Sequence, residues 1–255
     1  MLLAIDIGNS NIVIGGIQDD TIVFEARIAT DRIKTSDQYG VEIKNILSLF
    51  EVPVETVEDV IISSVVPPVF NAVRTGAYKV TGLTPMVVGP GIKTGLNIQM
   101  DNPASVGSDL IVAAVAALQE YTAPLMLIDM GTATTITVVD QGNNYIGGAI
   151  IPGVRVSAEA LSSRAAQLPG IQLDRPKRAI GKNTIECMRS GIMYGAAAML
   201  DGMVERMEAE LGKPVTVVAT GGIAQFIVPL CKREMTIEKD LLLKGLNVIY
   251  KKNKK

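Results

Sequence analysis

Apolar and polar positions fall into blocks that recur in the same order twice along the chain. Residues 2–7, 12–17 and 21–28 are short apolar or alternating runs, separated by Gly-Asn-Ser-Asn and Gln-Asp-Asp. That is the pattern of three successive strands joined by tight turns. The period changes over residues 36–50, where Tyr39, Ile43, Ile46, Leu47 and Phe50 share one helical face, with Ser36 or Asp37 placed to cap it. Residues 59–65 predict a buried strand ended by Pro67 and Pro68, residues 69–81 a helix, and residues 86–88 a short strand. Gly89, Pro90, Gly91 and Gly95 mark residues 89–102 as an ordered loop. Residues 108–121 predict a helix whose apolar face is very small (Ala113, Ala114, Ala116, Ala117), which permits close packing.

The second half repeats this order. Residues 125–130, 134–139 and 144–150 read as another meander, and residues 152–165 as a helix. Residues 167–182 are polar with Pro and Gly and predict a loop. Residues 183–211 form a long helical stretch interrupted near Gly191, Gly195 and Gly202. A strand at 215–219 runs into Thr220-Gly221-Gly222, and helices at 223–231 and 240–250 follow. Strand–strand–strand–helix–strand–helix, written twice, describes a duplicated α/β protein with its boundary near 119–124. The predicted lobes are residues 1–119 and 120–255, packed tightly because no flexible linker divides them.

Composition narrows the chemistry. The 255 residues are 48% hydrophobic, enough for a large core and an apolar subunit interface. No run reaches the roughly 18 uninterrupted apolar residues of a membrane span. Asp6 interrupts the first apolar run, so no signal peptide is predicted. A formal net charge of −2 gives no broad basic surface, which argues against nucleic acid as a partner. The basic cluster at 251–255 reads as a frayed, solvated tail. Cys187 and Cys231 are far apart and read as buried small hydrophobes in a reducing cytoplasm. Histidine is absent, which removes His-based triads, metal sites and general bases.

Two segments stand out. Leu-Ala-Ile-Asp-Ile-Gly-Asn-Ser-Asn at 3–11 returns, altered, as Leu-Ile-Asp-Met-Gly-Thr-Ala-Thr-Thr at 127–135. A strand that ends in Asp and turns on Gly can offer backbone N–H groups and a carboxylate to phosphate and metal. Asp6 at the end of an apolar strand would cost several kcal/mol without hydrogen bonds or a cation. Either turn alone is also readable as an ordinary hairpin corner. Thr220-Gly221-Gly222 follows a strand and opens a helix. It is either a helix entry capped by Thr220 or a bare backbone on which an adenine ring can lie. Gly147-Gly148 with Pro152-Gly153 is a turn or the wall of a cleft. Ser108 and Asp109 open the Ala-rich helix, either as cap and dipole partner or with Asp109 as a base beside a transferring phosphate.

Taken in order, Asp-Ile-Gly-Asn-Ser-Asn, Ser-Ser-Val-Val-Pro-Pro, Val-Gly-Pro-Gly-Ile-Lys-Thr-Gly-Leu-Asn-Ile, Asp-Asn-Pro-Ala-Ser-Val-Gly-Ser-Asp, Asp-Met-Gly-Thr-Ala-Thr-Thr, Gly-Gly-Ala-Ile-Ile-Pro-Gly, Ile-Gly-Lys-Asn-Thr, Ala-Thr-Gly-Gly-Ile-Ala and Asp-Leu-Leu-Leu-Lys-Gly-Leu resemble the type III pantothenate kinases. The resemblance runs along nearly the whole chain. It implies two ribonuclease-H-like (actin-like ATPase) lobes with a nucleotide cleft between them. It also implies a cytoplasmic homodimer, ATP with Mg²⁺, a monovalent cation (K⁺ or NH₄⁺), and phosphorylation of the primary hydroxyl of pantothenate. By matching motif, Asp6 is implied as the Mg²⁺-linked acid and Asp129 as the acid of the monovalent cation. Gly8, Asn9, Ser10 and Asn11, then Gly131, Thr132, Ala133 and Thr134, are implied as phosphate loops, with Gly221 and Gly222 at the adenosine. Asp109 is implied as the catalytic base, and Met100, Gly107, Ser108, Leu110 and Thr184 as the acceptor side.

Two stretches depart from the family pattern. Gly-Ala-Asp-Arg is usual where this chain has Gly107-Ser108-Asp109-Leu110, and Tyr is usual where it has Met100. An aliphatic chain cannot replace a guanidinium's charge or hydrogen bonds. A second reading therefore stands beside the kinase: a divergent nucleotide-binding paralogue with an altered acceptor or no pantothenate kinase activity.

Overall fold

The computed structural model describes residues 1–254. They divide into two compact units. Met1–Leu96 and Asp101–Gln119 with the chain from Asp240 onward form the first, and Asn97–Met100 with Glu120–Lys239 the second. The division is therefore not a single cut at 119/120, because the end of the chain belongs to the first unit and a short piece near 100 to the second.

In the first unit β1 (Leu2–Ile7), β2 (Asn11–Gln18) and β3 (Thr21–Ala29) form the meander. Then come α1 (Ser36–Leu49), β4 (Asp59–Ser64), α2 (Pro67–Thr81), β5 (Met86–Val87) and α3 (Ser108–Glu120). The sheet order is β3-β2-β1-β4-β5, with β4 parallel to β1 and β5 parallel to β4. β1 is buried along its length because helices cover both faces. Leu3, Ile5 and Ile7 join the core made with Tyr39, Ile43, Val69 and Val73. Leu2 and Ala4 join the opposite core, made with Val112 and Val115 of α3 and with Leu243, Leu246 and Ile249. Strand alternation thus puts Asp6 on the α3 face.

The second unit has β6 (Asn97–Ile98), β7 (Leu125–Met130), β8 (Ala133–Val139), β9 (Asn144–Pro152), α4 (Val154–Arg164), α5 (Thr184–Leu211), β10 (Thr216–Thr220), α6 (Ala224–Ile227) and β11 (Thr236–Ile237). Its order is β11-β10-β7-β8-β9-β6. Without the added β6, this is the same third-second-first-fourth-fifth arrangement as the first unit, so the duplication holds at the level of topology. The last helix, α7 (Leu241–Asn253), packs on β1 and β4.

Several local expectations change. Thr35, not Ser36 or Asp37, caps α1, because its hydroxyl accepts from Gln38 N–H while Gln38 reaches back to Thr35 N–H. Pro67 and Pro68 start α2, where their fixed φ and missing N–H are tolerated. The loop after residue 89 contains β6, paired with β9. α5 runs unbroken through Gly191, Gly195 and Gly202. Thr220 does not cap a helix: it ends β10, and α6 starts at Ala224 as a single turn followed by a 3₁₀ turn at Val228–Leu230. Cys187 is exposed, and Cys231 is half-buried with its thiol pushed up to about 12 by burial and by Asp201. Of the basic cluster, Lys251 and Lys252 continue α7, which runs through Asn253, and Lys251 pairs with Asp20, while Lys255 lies outside the described residues.

Candidate functional site

In the first unit the candidate site begins where β1 ends. Asp6 is 4% exposed. The turn after it closes with Gly8 N–H donating to the Asn11 carbonyl at 3.0 Å, so β1 and β2 separate at the Gly8–Asn11 corner. The residue after β3 fastens this corner from outside. Thr30 Oγ1 donates to the Gly8 carbonyl at 2.6 Å, and Thr30 N–H to the Ser10 carbonyl at 3.0 Å. Asn9, Ser10 and Asn11 are exposed at the tip.

Asp6 lies directly opposite Ser63 on β4. Ser63 is wholly buried, and its hydroxyl lies 2.9 Å from the Ser108 hydroxyl. Asp6, Ser63 and the start of α3 are therefore consecutive neighbours across one face. Ser108 is the first residue of α3, and its hydroxyl bonds to β4 rather than capping the helix. Asp109 follows, half-buried. Its Oδ1 accepts from Leu110 N–H at 2.8 Å. Burial pushes its carboxyl above the usual carboxylate range, opposed by the backbone N–H groups of Leu110 and of Asp109 itself. Gly107 leaves room for this acid, since a Cβ there would stand 2.5 Å from Asp109 Oδ1.

The second unit builds the matching corner one residue shorter. Asp129 pairs with Thr135 across β7 and β8, six positions apart, whereas Asp6 pairs with Val13, seven apart. Gly131 N–H donates to the Ala133 carbonyl at 3.0 Å. Thr132 is exposed beside it. Thr134 is 1% exposed, and its hydroxyl has no hydrogen-bond partner among the described residues, nor has that of Thr135. Thr220 stands opposite Asp129 on β10, as Ser63 stands opposite Asp6. Gly221 has φ +93°, and a Cβ there would stand 2.7 Å from Asp129 Oδ1 and from the Met130 backbone. Glycine is thus required for the Gly221-Gly222 corner to close on the Asp129 strand end.

The first unit therefore brings together Asp6, the Gly8–Asn11 corner and Gly107–Leu110. The second brings together Asp129, the Gly131–Thr134 corner and Gly221-Gly222. Two further acceptor-side candidates, Met100 and Thr184, belong to the second unit. Met100 lies beside Gly147, whose Cβ would be 3.7 Å from the Met100 sulfur. Thr184 is exposed at the start of α5, after the cap made by Asn183. Thr30 and Ser63 were missed as site residues. Ser63 is the first residue of the Ser-Ser-Val-Val-Pro-Pro motif and closes the apolar run Val60-Ile61-Ile62, but neither feature pointed to a site role, and Thr30 has no such signal. No group of three or more Asp, Glu or Cys able to hold a metal occurs among the described residues. A magnesium that shares oxygens with a triphosphate needs only one or two carboxylates, and buried Asp6 at a glycine corner meets that need. No helix among the described residues is long and apolar enough to cross a membrane.

Two sheets of the same order apart from β6, each with an acid one residue before the end of its first strand and a glycine corner after it, give the α/β fold of the actin-like ATPases and sugar kinases. Solved structures agree at the level of fold. A conserved candidate Baf-family transcriptional activator from Campylobacter jejuni superimposes with TM-score 0.61 at 18% identity, covering 98% of both chains. Component A of (R)-2-hydroxyglutaryl-CoA dehydratase from Acidaminococcus fermentans gives 0.56 at 15% identity, covering 99% of both. The model of the type III pantothenate kinase family matches residues 2–206. A type III pantothenate kinase from an Exiguobacterium strain is 47% identical over 255 residues, all of both chains. The chain belongs to the type III pantothenate kinase family.

Proposed function

We propose that this protein transfers the γ-phosphoryl group of ATP to the primary hydroxyl of pantothenate, giving 4′-phosphopantothenate for coenzyme A synthesis. The acceptor is inferred from the full-length relative named for that activity. One observation carries the phosphoryl-transfer half: the Thr134 hydroxyl, buried without a partner at the second glycine corner. Such a group costs about 1–3 kcal/mol unless something bonds to it, and a phosphate oxygen is the acceptor it suits.

In this reading Gly8, Asn9, Ser10 and Asn11 hold phosphates with Gly131, Thr132, Ala133 and Thr134, while Gly221 and Gly222 take the adenosine. Asp6 holds Mg²⁺, which when bound neutralises charge developing on the phosphates. Asp129 serves a monovalent cation, K⁺ or NH₄⁺. Asp109 orients the acceptor hydroxyl and takes its proton. Its raised pKa suits that role, because a base is most effective when its pKa lies near the working pH. Gly107, Leu110, Met100 and Thr184 belong to the acceptor side. We read the setting as cytoplasmic.

We also propose a homodimer seated on α5. Cys187, Gly191, Gly195 and Ala198 are exposed along one stripe of that helix. A Cβ on Gly191 or Gly195 would meet nothing within 4 Å. Each mid-helix glycine costs about 1 kcal/mol relative to alanine, and a close-packed partner helix supplies the compensation.

The test is ADP release with Mg-ATP, with and without pantothenate, in K⁺, NH₄⁺ or Na⁺. Pantothenate-dependent release, stimulated by K⁺ or NH₄⁺, is expected. ATP binding with no pantothenate-dependent release would establish the divergent paralogue instead, and Leu110→Arg with Met100→Tyr would then be expected to restore acceptor use.

A further inference from the structure

The Ser108 hydroxyl has no capacity left for a ligand. A serine hydroxyl has one hydrogen to donate and two lone pairs. Ser108 Oγ donates to the Ser64 carbonyl at 3.0 Å and accepts from Ser64 N–H at 3.2 Å. The remaining lone pair faces the Ser63 hydroxyl at 2.9 Å, and with Ser108's hydrogen already placed, Ser63 is the donor. The opposing anchor is rigid: Ser63 is wholly buried, Ser64 ends β4, and Ser64 Oγ accepts from Val66 N–H at 3.2 Å.

These bonds join the first residue of α3 to the strand that runs beside Asp6. The next residue is Asp109. We propose that Ser108 is a positioning residue for Asp109: its hydroxyl pins the first turn of α3 to the end of β4 and so fixes where the carboxylate stands. The proposal rests on Asp109 being the base. The carboxylate itself is held by backbone, its Oδ1 accepting from Leu110 N–H at 2.8 Å, so where the first turn of α3 sits decides where the acid stands.

The test compares Ser108→Ala, Ser108→Thr and Asp109→Asn in pantothenate-dependent ADP release, with hydrogen exchange of the α3 amides as an activity-independent readout. Displacing a catalytic group by about 1 Å costs up to about 100-fold. Ser108→Ala is therefore expected to lower kcat by about 10–100-fold, with the KM for ATP unchanged within about twofold and faster exchange confined to residues 108–112. Ser108→Thr, which keeps the hydroxyl, is expected to recover most of kcat. If Ser108→Ala does not fold, Ser63→Ala removes one partner of the same pin and is expected to lower kcat in the same sense, by less. Unchanged kcat and unchanged exchange in Ser108→Ala overturn the proposal, as does a parallel loss of ATP binding, which marks a general structural role. Full turnover by Asp109→Asn instead overturns the assignment of the base, and unaltered exchange at 108–112 would then sink the pin as well.

Discussion

The base role proposed for Asp109 sets chemistry against stability. Burial holds its carboxyl above the usual range, so the folded protein favours the neutral acid. Ionisation above the raised pKa costs stability, and below the unfolded-chain pKa there is no such cost. Asp109→Asn is therefore expected to raise the thermal midpoint at pH 7, with the gain fading as the pH falls into the ordinary carboxylate range. The same variant is expected to lose about 10²–10⁴-fold in kcat, the usual worth of a general base. Thermal melts across pH, beside ADP-release rates, check both. Thr134→Val is a second separation of roles. It removes a buried hydroxyl without a partner and keeps the shape, so the apo protein should melt no lower than the parent. The stabilisation that Mg-ATP gives, read as a melting shift, should shrink. At this scale the sequence displayed the acids and glycines plainly, since Asp-x-Gly occurs twice. The Ser63–Ser108 contact was not legible, because it joins residues 45 positions apart and no local pattern links them.

Strands and helices were the most readable layer. β1 and β7 begin and end where hydrophobic runs do, since each is bordered by a turn that no strand can continue through. The misreadings have local causes that tertiary structure outweighed. The capping signal Thr35-x-x-Gln38 was present but one residue ahead of the expected cap. The glycines of α5 suggested breaks, but Met188, Met193, Ala197, Leu200 and Val204 bury the opposite face and hold the helix through them. Propensity is a weak prior against that much burial. The stripe left outside carries the prediction for this element. Gly195→Leu fills the space a partner helix would need and is expected to yield monomers in sedimentation equilibrium, with little change in the monomer's circular dichroism. A parent protein that sediments as a monomer would remove the premise.

For the molecule as a whole, the repeated strand order matters more than any single motif. It assigns Asp6 and Asp129, Ser63 and Thr220, to equivalent places in two sheets whose side chains otherwise differ. That equivalence was readable as a repeated order of elements. The ownership of α7 was not: its apolar stripe shows that it covers something, not which sheet. Leu243, Leu246 and Ile249 complete the core of the first unit, and Gly245 lies so close to α3 that a Cβ would stand 2.1 Å from the Val112 carbonyl oxygen. Gly245→Ala is expected to force the two helices apart and cost about 1–3 kcal/mol, the usual penalty of overpacking. Denaturant melts would show it.

The place of α7 also bears on synthesis. Chains emerge from the ribosome at about 5–20 residues per second, and amino-terminal domains usually fold first. Here the sheet of the first unit waits for a helix that follows the whole second unit before its α3 side is fully covered. During that interval Leu2, Ala4 and Ile61 have no helix from α7 over them, and the nascent chain offers a sticky surface to chaperones. Frameshifts that spare every residue before 240 would consequently damage the half of the protein encoded first.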